Sequence, residues 1–229
     1  MNNKIMLVSD YDDTLNIEKE KNLKYIKMFM KSNIFVIATG RSYISIKQRL
    51  KLDMKGLTPN YLITNHGATI INNNNKVINT SFIEKEVVDK ILQLINREKI
   101  HKINYYGSKK FNGDINKIML TFKNIEEATG VFNIIKNTDL VTTYLINRKG
   151  KMPKVEIINK NTNKAKAIKV IEELEKPSKI EVIGDGTQDI EMIKEYNGNC
   201  VVNAIDKVKK ISKKQYKYVY ELIKELQDN

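Results

Sequence analysis

Asp10 and Asp12 stand two residues apart in the segment Asp10-Tyr11-Asp12-Asp13-Thr14, directly after the apolar run Lys4 to Ser9. Carboxylates this close repel each other unless a cation or a function offsets their charge. A divalent metal is the simplest compensation. Hard oxygen ligands of this kind suit magnesium, which keeps several waters and binds through one or two carboxylates plus a substrate phosphate. An acidic strand-to-helix turn capping the next helix would produce the same local pattern. A second cluster argues against that local explanation: Ile183-Gly184-Asp185-Gly186-Thr187-Gln188-Asp189 repeats the order of apolar strand, tight turn and carboxylates, with Asp189 four residues after Asp185.

Between the two acidic clusters lie Thr39-Gly40-Arg41, after another apolar run, and Lys164, at the start of a helical stretch. Thr39 can hydrogen-bond a phosphoryl oxygen, Gly40 lets the backbone approach it, and Lys164 can set a point charge against it. Taken singly, Thr39 reads as a turn residue and Lys164 as a solvated surface lysine. Lys160, Lys166 and Lys169 compete for the same role.

These residues need elements that bring them to one place. The apolar runs Lys4 to Ser9, Ile34 to Ala38, Tyr61 to Thr64 and Ile180 to Ile183 read as buried strands, alternating with helices at about 17–30, 43–52 and 164–174. Parallel strands in a doubly wound sheet present their C-terminal ends along one edge, so both acidic clusters can converge there. The rhythm changes in the middle of the chain. Residues 68–71 and 76–79 read as a hairpin turning through asparagines, and 81–153 as helix, strand, strand, helix and strand. The expected architecture is therefore α/β, a Rossmann-like, doubly wound parallel-sheet core formed by residues 1–80 and 154–229, interrupted by a smaller α+β cap at 81–153.

In this order the motifs resemble the haloacid dehalogenase superfamily, in particular its Cof-like and sucrose-phosphatase-like members, whose cap lies between the second and third motifs. Asp10, Asp12 and Thr14 match the first motif, Thr39-Gly40-Arg41 the second, Lys164 the third, and Gly184-Asp185 with Asp189 the fourth. Asn65-His66-Gly67-Ala68 is similar to the family's Asn-Gly-Ala turn, and Asn203-Ala204 to its late Asn-Ala pair. Three positions depart from the pattern: Asp13 replaces a usual glycine, Gln188 a common asparagine, and His66 the asparagine before Gly67.

The resemblance implies a phosphatase. In that scheme Asp10 attacks phosphorus, and Asp12 protonates the leaving oxygen and then activates water. Mg²⁺ is held by Asp10, the Asp12 carbonyl and Asp185, with Asp189 supporting the metal shell or orienting Lys164. Thr14, Gly40 and Arg41 are expected at the substrate, Arg41 on either substrate or cap, while Thr39 and Lys164 hold the transferring oxygens. The cap can close over the site and set specificity, with Tyr105, Lys109, Lys110 and Arg148 as candidate contacts to an anionic substrate. The short cap makes the chain similar in size to sugar-phosphatase and phosphoglycolate-phosphatase members. A phosphomutase sharing the phosphoenzyme is the alternative within this chemistry.

Composition bounds the partners. The 229 residues carry a formal charge of +13, with lysines scattered through the chain. No aromatic-basic recognition module is visible in the sequence, which points to a solvated basic surface and no specific nucleic-acid site, a basic binding or regulatory protein being the reading from a different class. His66 reads as a turn residue near the cleft and His101 as a surface residue, a poor case for zinc. The single cysteine, Cys200, fits a reducing compartment, and the cytoplasm is expected. The early apolar run is too short for a signal peptide, and none reaches the roughly 18 residues of a membrane span.

Overall fold

The computed structural model describes residues 3–107 and 114–228, and the chain divides into two compact units, Met1–Asn79 with Asn163–Asn229, and Thr80–Thr162. Among the described residues no helix is long and apolar enough to cross a membrane.

In chain order the elements are β1 (Ile5–Ser9), α1 (Lys19–Phe29), β2 (Ile34–Ala38), α2 (Tyr43–Asp53), β3 (Tyr61–Thr64), β4 (Thr69–Asn72), β5 (Val77–Thr80), α3 (Lys85–Leu94), β6 (Lys102–Gly107), β7 (Ile115–Thr121), α4 (Ile125–Lys136), β8 (Val141–Ile146), β9 (Lys154–Asn159), α5 (Lys164–Glu175), β10 (Lys179–Gly184), α6 (Ile190–Glu195), β11 (Asn199–Val201), α7 (Asp206–Lys209), β12 (Gln215–Tyr216) and α8 (Val219–Asp228).

The first unit is built on a sheet of order β12-β11-β10-β1-β2-β3-β4-β5. It is parallel from β12 to β3, and β4 pairs antiparallel with β3. Its central strands are apolar along their whole length because both faces are covered. Leu7, Phe35 and Ile37 pack with Leu23, Ile26 and Phe29 of α1 and with α8 on one face; Met6, Val8 and Val36 pack with Ile168 and Ile171 of α5 and with α6 on the other. The chain leaves β1 toward β2 on one side and later fills the other side with β10, so the sheet order reverses at β1. A crevice forms outside the strand ends at such a point.

Local signals set the helix that follows the insert. Asn163 caps α5 by accepting a hydrogen bond from the Lys166 amide at 2.8 Å, and Lys176, left-handed at φ 46°, ends it just before Pro177.

The second unit has an antiparallel sheet of order β6-β7-β9-β8. One face, with Ile118, Leu120, Val155 and Ile157, packs against Val88 and Ile91 of α3 and Val131 and Ile135 of α4. The C-terminal limit of the insert differs from the expected residue 153. β9 pairs with β7 and β8, so the insert runs to Thr162 and the β-α alternation resumes only at α5. The sequence of β9 conceals this because Val155 to Ile158 is buried on both faces, as in a parallel core strand, and only the distant pairing partners reveal the sheet to which it belongs.

Candidate active site

The C-terminal ends of β1, β2 and β10 are neighbours in register: Ser9 pairs with Ile183 and with Ile37. The residue after β1 is Asp10, whose amide donates to the Ile183 carbonyl at 2.9 Å. The chain then turns sharply. Asp12 is extended at φ −74° and ψ 132°, and Asp13 is left-handed at φ 59°. That conformation favours glycine, the residue the family resemblance implied there; Asp13 is held in it by its amide donating to Asn16 Oδ1 at 2.8 Å. Asn203 Nδ2 donates to the Asp13 carbonyl at 2.8 Å, which ties the late Asn-Ala segment to this turn.

Lys164 is fully buried, and its ammonium donates to Asp10 Oδ1 and Asp189 Oδ1, both at 2.6 Å. Its competitors are thereby separated from it: Lys160 belongs to the other unit and pairs with Asp139, and Lys166 and Lys169 are not among the buried residues. The second oxygen of Asp189 accepts from the amides of Asp185 and Gly186 at 3.0 and 2.9 Å, which fixes the turn after β10. Thr14 donates to Asp185 Oδ1 at 2.7 Å, linking the two acidic segments.

Asp10, Asp185 and Asp189 each offer a carboxylate oxygen within 4.8 Å of the others. Burial, against the pull of Lys164, raises the Asp10 carboxyl well above its ordinary value, with Asp189 and Asp185 adding to the rise. Burial and Asp189 push Asp185 up to about 7. Burial pulls Lys164 down, but Asp10 and Asp189 outweigh it and hold the ammonium above the usual lysine range. One fixed cation therefore faces three acids. Asp10 Oδ2 is buried and has no hydrogen-bond partner among the described residues. A hard oxygen donor set with more carboxylates than cations fits a metal cation, which this cluster could hold.

The carboxylate of Asp12 lies outside that trio and receives a two-pronged contact from Arg41, Nε to Oδ2 at 2.7 Å and Nη2 to Oδ1 at 2.6 Å. Thr39 is buried after β2; its amide donates to the Ile63 carbonyl at 2.8 Å, and its hydroxyl oxygen accepts from the Arg41 amide at 3.1 Å, leaving the hydroxyl proton to donate elsewhere. Gly40 lies against His66: a Cβ at position 40 would sit 2.3 Å from His66 Cε1. His66 is buried in a turn in which it and Asn65 are both left-handed, while His101 is exposed. Gly67, at φ +108°, presses on the other side, where a Cβ would sit 2.3 Å from the Asn163 carbonyl. The 65–67 turn thus wedges between the loop carrying Thr39 and the first turn of α5. Sequence reading placed His66 near the cleft but missed this contact. It also missed Ser45, whose hydroxyl accepts from Arg41 Nη1 at 3.1 Å; the four-residue helical spacing from Arg41 was the available signal. Of the candidate contacts in the insert, Tyr105 is half exposed on β6, Arg148 lies between β8 and β9, and Lys109 and Lys110 fall outside the described residues.

A haloacid dehalogenase-like hydrolase from B. subtilis is similar with a TM-score of 0.81 at 14% identity, covering 99% of this chain and 100% of that one. A Buchnera aphidicola protein named "Putative phosphatase" is 28% identical over 232 aligned positions, 86% of each chain. An uncharacterized protein of Mycoplasma capricolum is 36% identical over 98 residues, which span 39% of this chain and 36% of that relative's length. The family model for haloacid dehalogenase-like hydrolases matches residues 7–114 and 108–221, so the chain belongs to the haloacid dehalogenase-like hydrolase family.

Proposed function

We propose that this hydrolase is a magnesium-dependent phosphatase that transfers the phosphoryl group of a small phosphorylated metabolite to Asp10 and then to water. The observation that carries the reading is the asymmetry of the Asp10 carboxylate: Oδ1 is pinned by Lys164 at 2.6 Å, whereas Oδ2 is buried without a hydrogen-bond partner among the described residues. Such a group is oriented, dehydrated and open on one side, as a nucleophile must be. The name of the Buchnera aphidicola relative supports the same class.

The residues divide the work. Asp10 attacks phosphorus as the bond to the leaving oxygen breaks, and that oxygen takes its proton from Asp12. Water then gives a proton to Asp12 and attacks the phosphorus of the aspartyl phosphate, restoring Asp10 and releasing inorganic phosphate. The Thr39 hydroxyl, the backbone at Gly40 and Lys164 stabilise the phosphoryl oxygens. Thr14 holds Asp185, and Asp189, engaged through both oxygens, orients Lys164 and the turn at 185–186. Asp10 and Asp185, with the Asp12 carbonyl implied by the family resemblance, would hold Mg²⁺, which would supply charge neutralisation for the phosphoryl group. The buried Cys200 supports a reducing, cytoplasmic setting.

The test is a panel of phosphorylated metabolites assayed for phosphate release with and without Mg²⁺, together with acid-quench detection of phosphoenzyme. Phosphate release that requires Mg²⁺, and a phosphoenzyme lost in Asp10→Asn, support the reading. Transfer to a second hydroxyl of the substrate instead of to water identifies a mutase, and turnover without phosphoenzyme overturns the mechanism.

A further inference from the structure

We infer that Arg41 serves the reaction through Asp12 and not through the substrate: it is a positioning residue that aims the acid/base carboxylate, and Ser45 braces it. The inference rests on the role given to Asp12 above. Asp12 lies in an irregular turn, extended itself and followed by the left-handed Asp13, so no regular element fixes its side chain. Arg41 provides that restraint. A guanidinium presents its N–H groups in a rigid plane, and a bidentate contact sets both the position and the plane of the carboxylate.

Each guanidinium nitrogen donates within the protein: Nε and Nη2 to the two Asp12 oxygens at 2.7 and 2.6 Å, and Nη1 to Ser45 Oγ at 3.1 Å. The backbone of Arg41 is tied as well. Its amide donates to Thr39 Oγ1 at 3.1 Å and its carbonyl accepts from the Asn65 amide at 2.9 Å. The guanidinium also lies 5.8 Å from the centre of the Tyr11 ring. With 21% exposure on the arginine side chain and 13% on the aspartate, the pair is largely shielded from water, which strengthens it. The same loop that offers Thr39 and Gly40 to the phosphoryl group therefore reaches across to set the geometry of proton transfer.

The experiment compares Arg41→Gln, Arg41→Lys and Ser45→Ala with the wild type and with Asp12→Asn. Each is assayed on an alkyl phosphate, whose leaving oxygen needs a proton, and on p-nitrophenyl phosphate, whose leaving group does not; inorganic phosphate as a competitive inhibitor reports on binding. For Arg41→Gln, kcat/KM on the alkyl phosphate should fall about 10- to 100-fold, since small misplacement of a reacting group costs this much. On p-nitrophenyl phosphate the fall should be under about threefold, with the phosphate inhibition constant unchanged. Arg41→Lys should recover only part of the loss, because an ammonium cannot make two parallel bonds. Ser45→Ala should show the same selectivity at a few-fold. Equal losses on both substrates with a weakened phosphate inhibition constant would make Arg41 a substrate ligand and overturn the inference, as would an Arg41→Gln enzyme with unchanged kinetics. If Asp12→Asn keeps full activity on both substrates, the acid/base role itself fails. Should Arg41→Gln not fold, the selectivity of Arg41→Lys and Ser45→Ala decides.

Discussion

Two buried lysines in this chain face carboxylates, and they do so in opposite ways. In the insert, Lys117 on β7 reaches Glu156 on the neighbouring β9 at 3.3 Å and lies 4.8 Å from the centre of the Tyr106 ring, all on one sheet face. In the main unit, Lys164 bridges Asp10 and Asp189 while Asp185 crowds the same cluster. Burial of charge is common to both. The difference is in the acids: Lys117 meets a carboxylate on the next strand, whereas Lys164 bridges two with a third beside them, a crowding that raised carboxyl pKa values or a further cation must relieve. A cross-strand pair can be structural, whereas acids crowded around one buried lysine mark a candidate site for a charged ligand.

The comparison breaks most sharply at Asp10. Asp10→Asn keeps the shape and the lysine contact but removes the nucleophile, and turnover should fall by about 10⁴-fold or more with the circular dichroism spectrum unchanged. Retained activity would show that the acidic cluster is as structural as the pair in the insert. Lys164→Met should lower both activity and stability: in chelator the buried acids lose their cation, at a cost of about 3–5 kcal/mol by denaturant titration. Replacing Asp189 by Leu as well should not bring turnover back. Lys117→Met should cost about 3 kcal/mol by the same measurement, and the double variant Lys117→Met, Glu156→Leu should recover most of it, because a buried ion pair can be exchanged for apolar packing. If both double variants behave alike, the distinction fails. The smallest effect concerns the missing charge itself. Mg²⁺ at about 100 times its dissociation constant should stabilise the protein by about 2.7 kcal/mol, and the gain should vanish in Asp185→Asn.

Much of this was legible in the sequence because short, strongly apolar runs leave little choice. β2 and β3 lie at the expected residues 34–38 and 61–64, and α5 begins at the expected Lys164. The acids announced their convergence because each follows such a run. What escaped was set by contacts between distant residues. β9 is buried on both faces as a core strand would be, and only its pairing with β7 and β8 assigns it to the insert. The contact of Arg41 with Asp12 escaped because an arginine beside a glycine turn shows nothing of the carboxylate it meets from 29 residues away. The two-residue strand β12 and the single-turn helix α7 are too short for periodicity to register.

The wedge at residues 65–67 makes evolutionary change here depend on its order. A side chain at position 40 collides with the imidazole of His66, so it enters without strain only where that ring shifts or residue 66 has already become smaller. Position 67 has no such route. The obstacle there is the backbone carbonyl of Asn163, which no substitution at 163 removes, and the backbone at φ +108° is one that side chains rarely adopt. Of these two neighbouring glycines, one is contingent on its partner's history, and the other is closed to change for as long as the chain keeps this path.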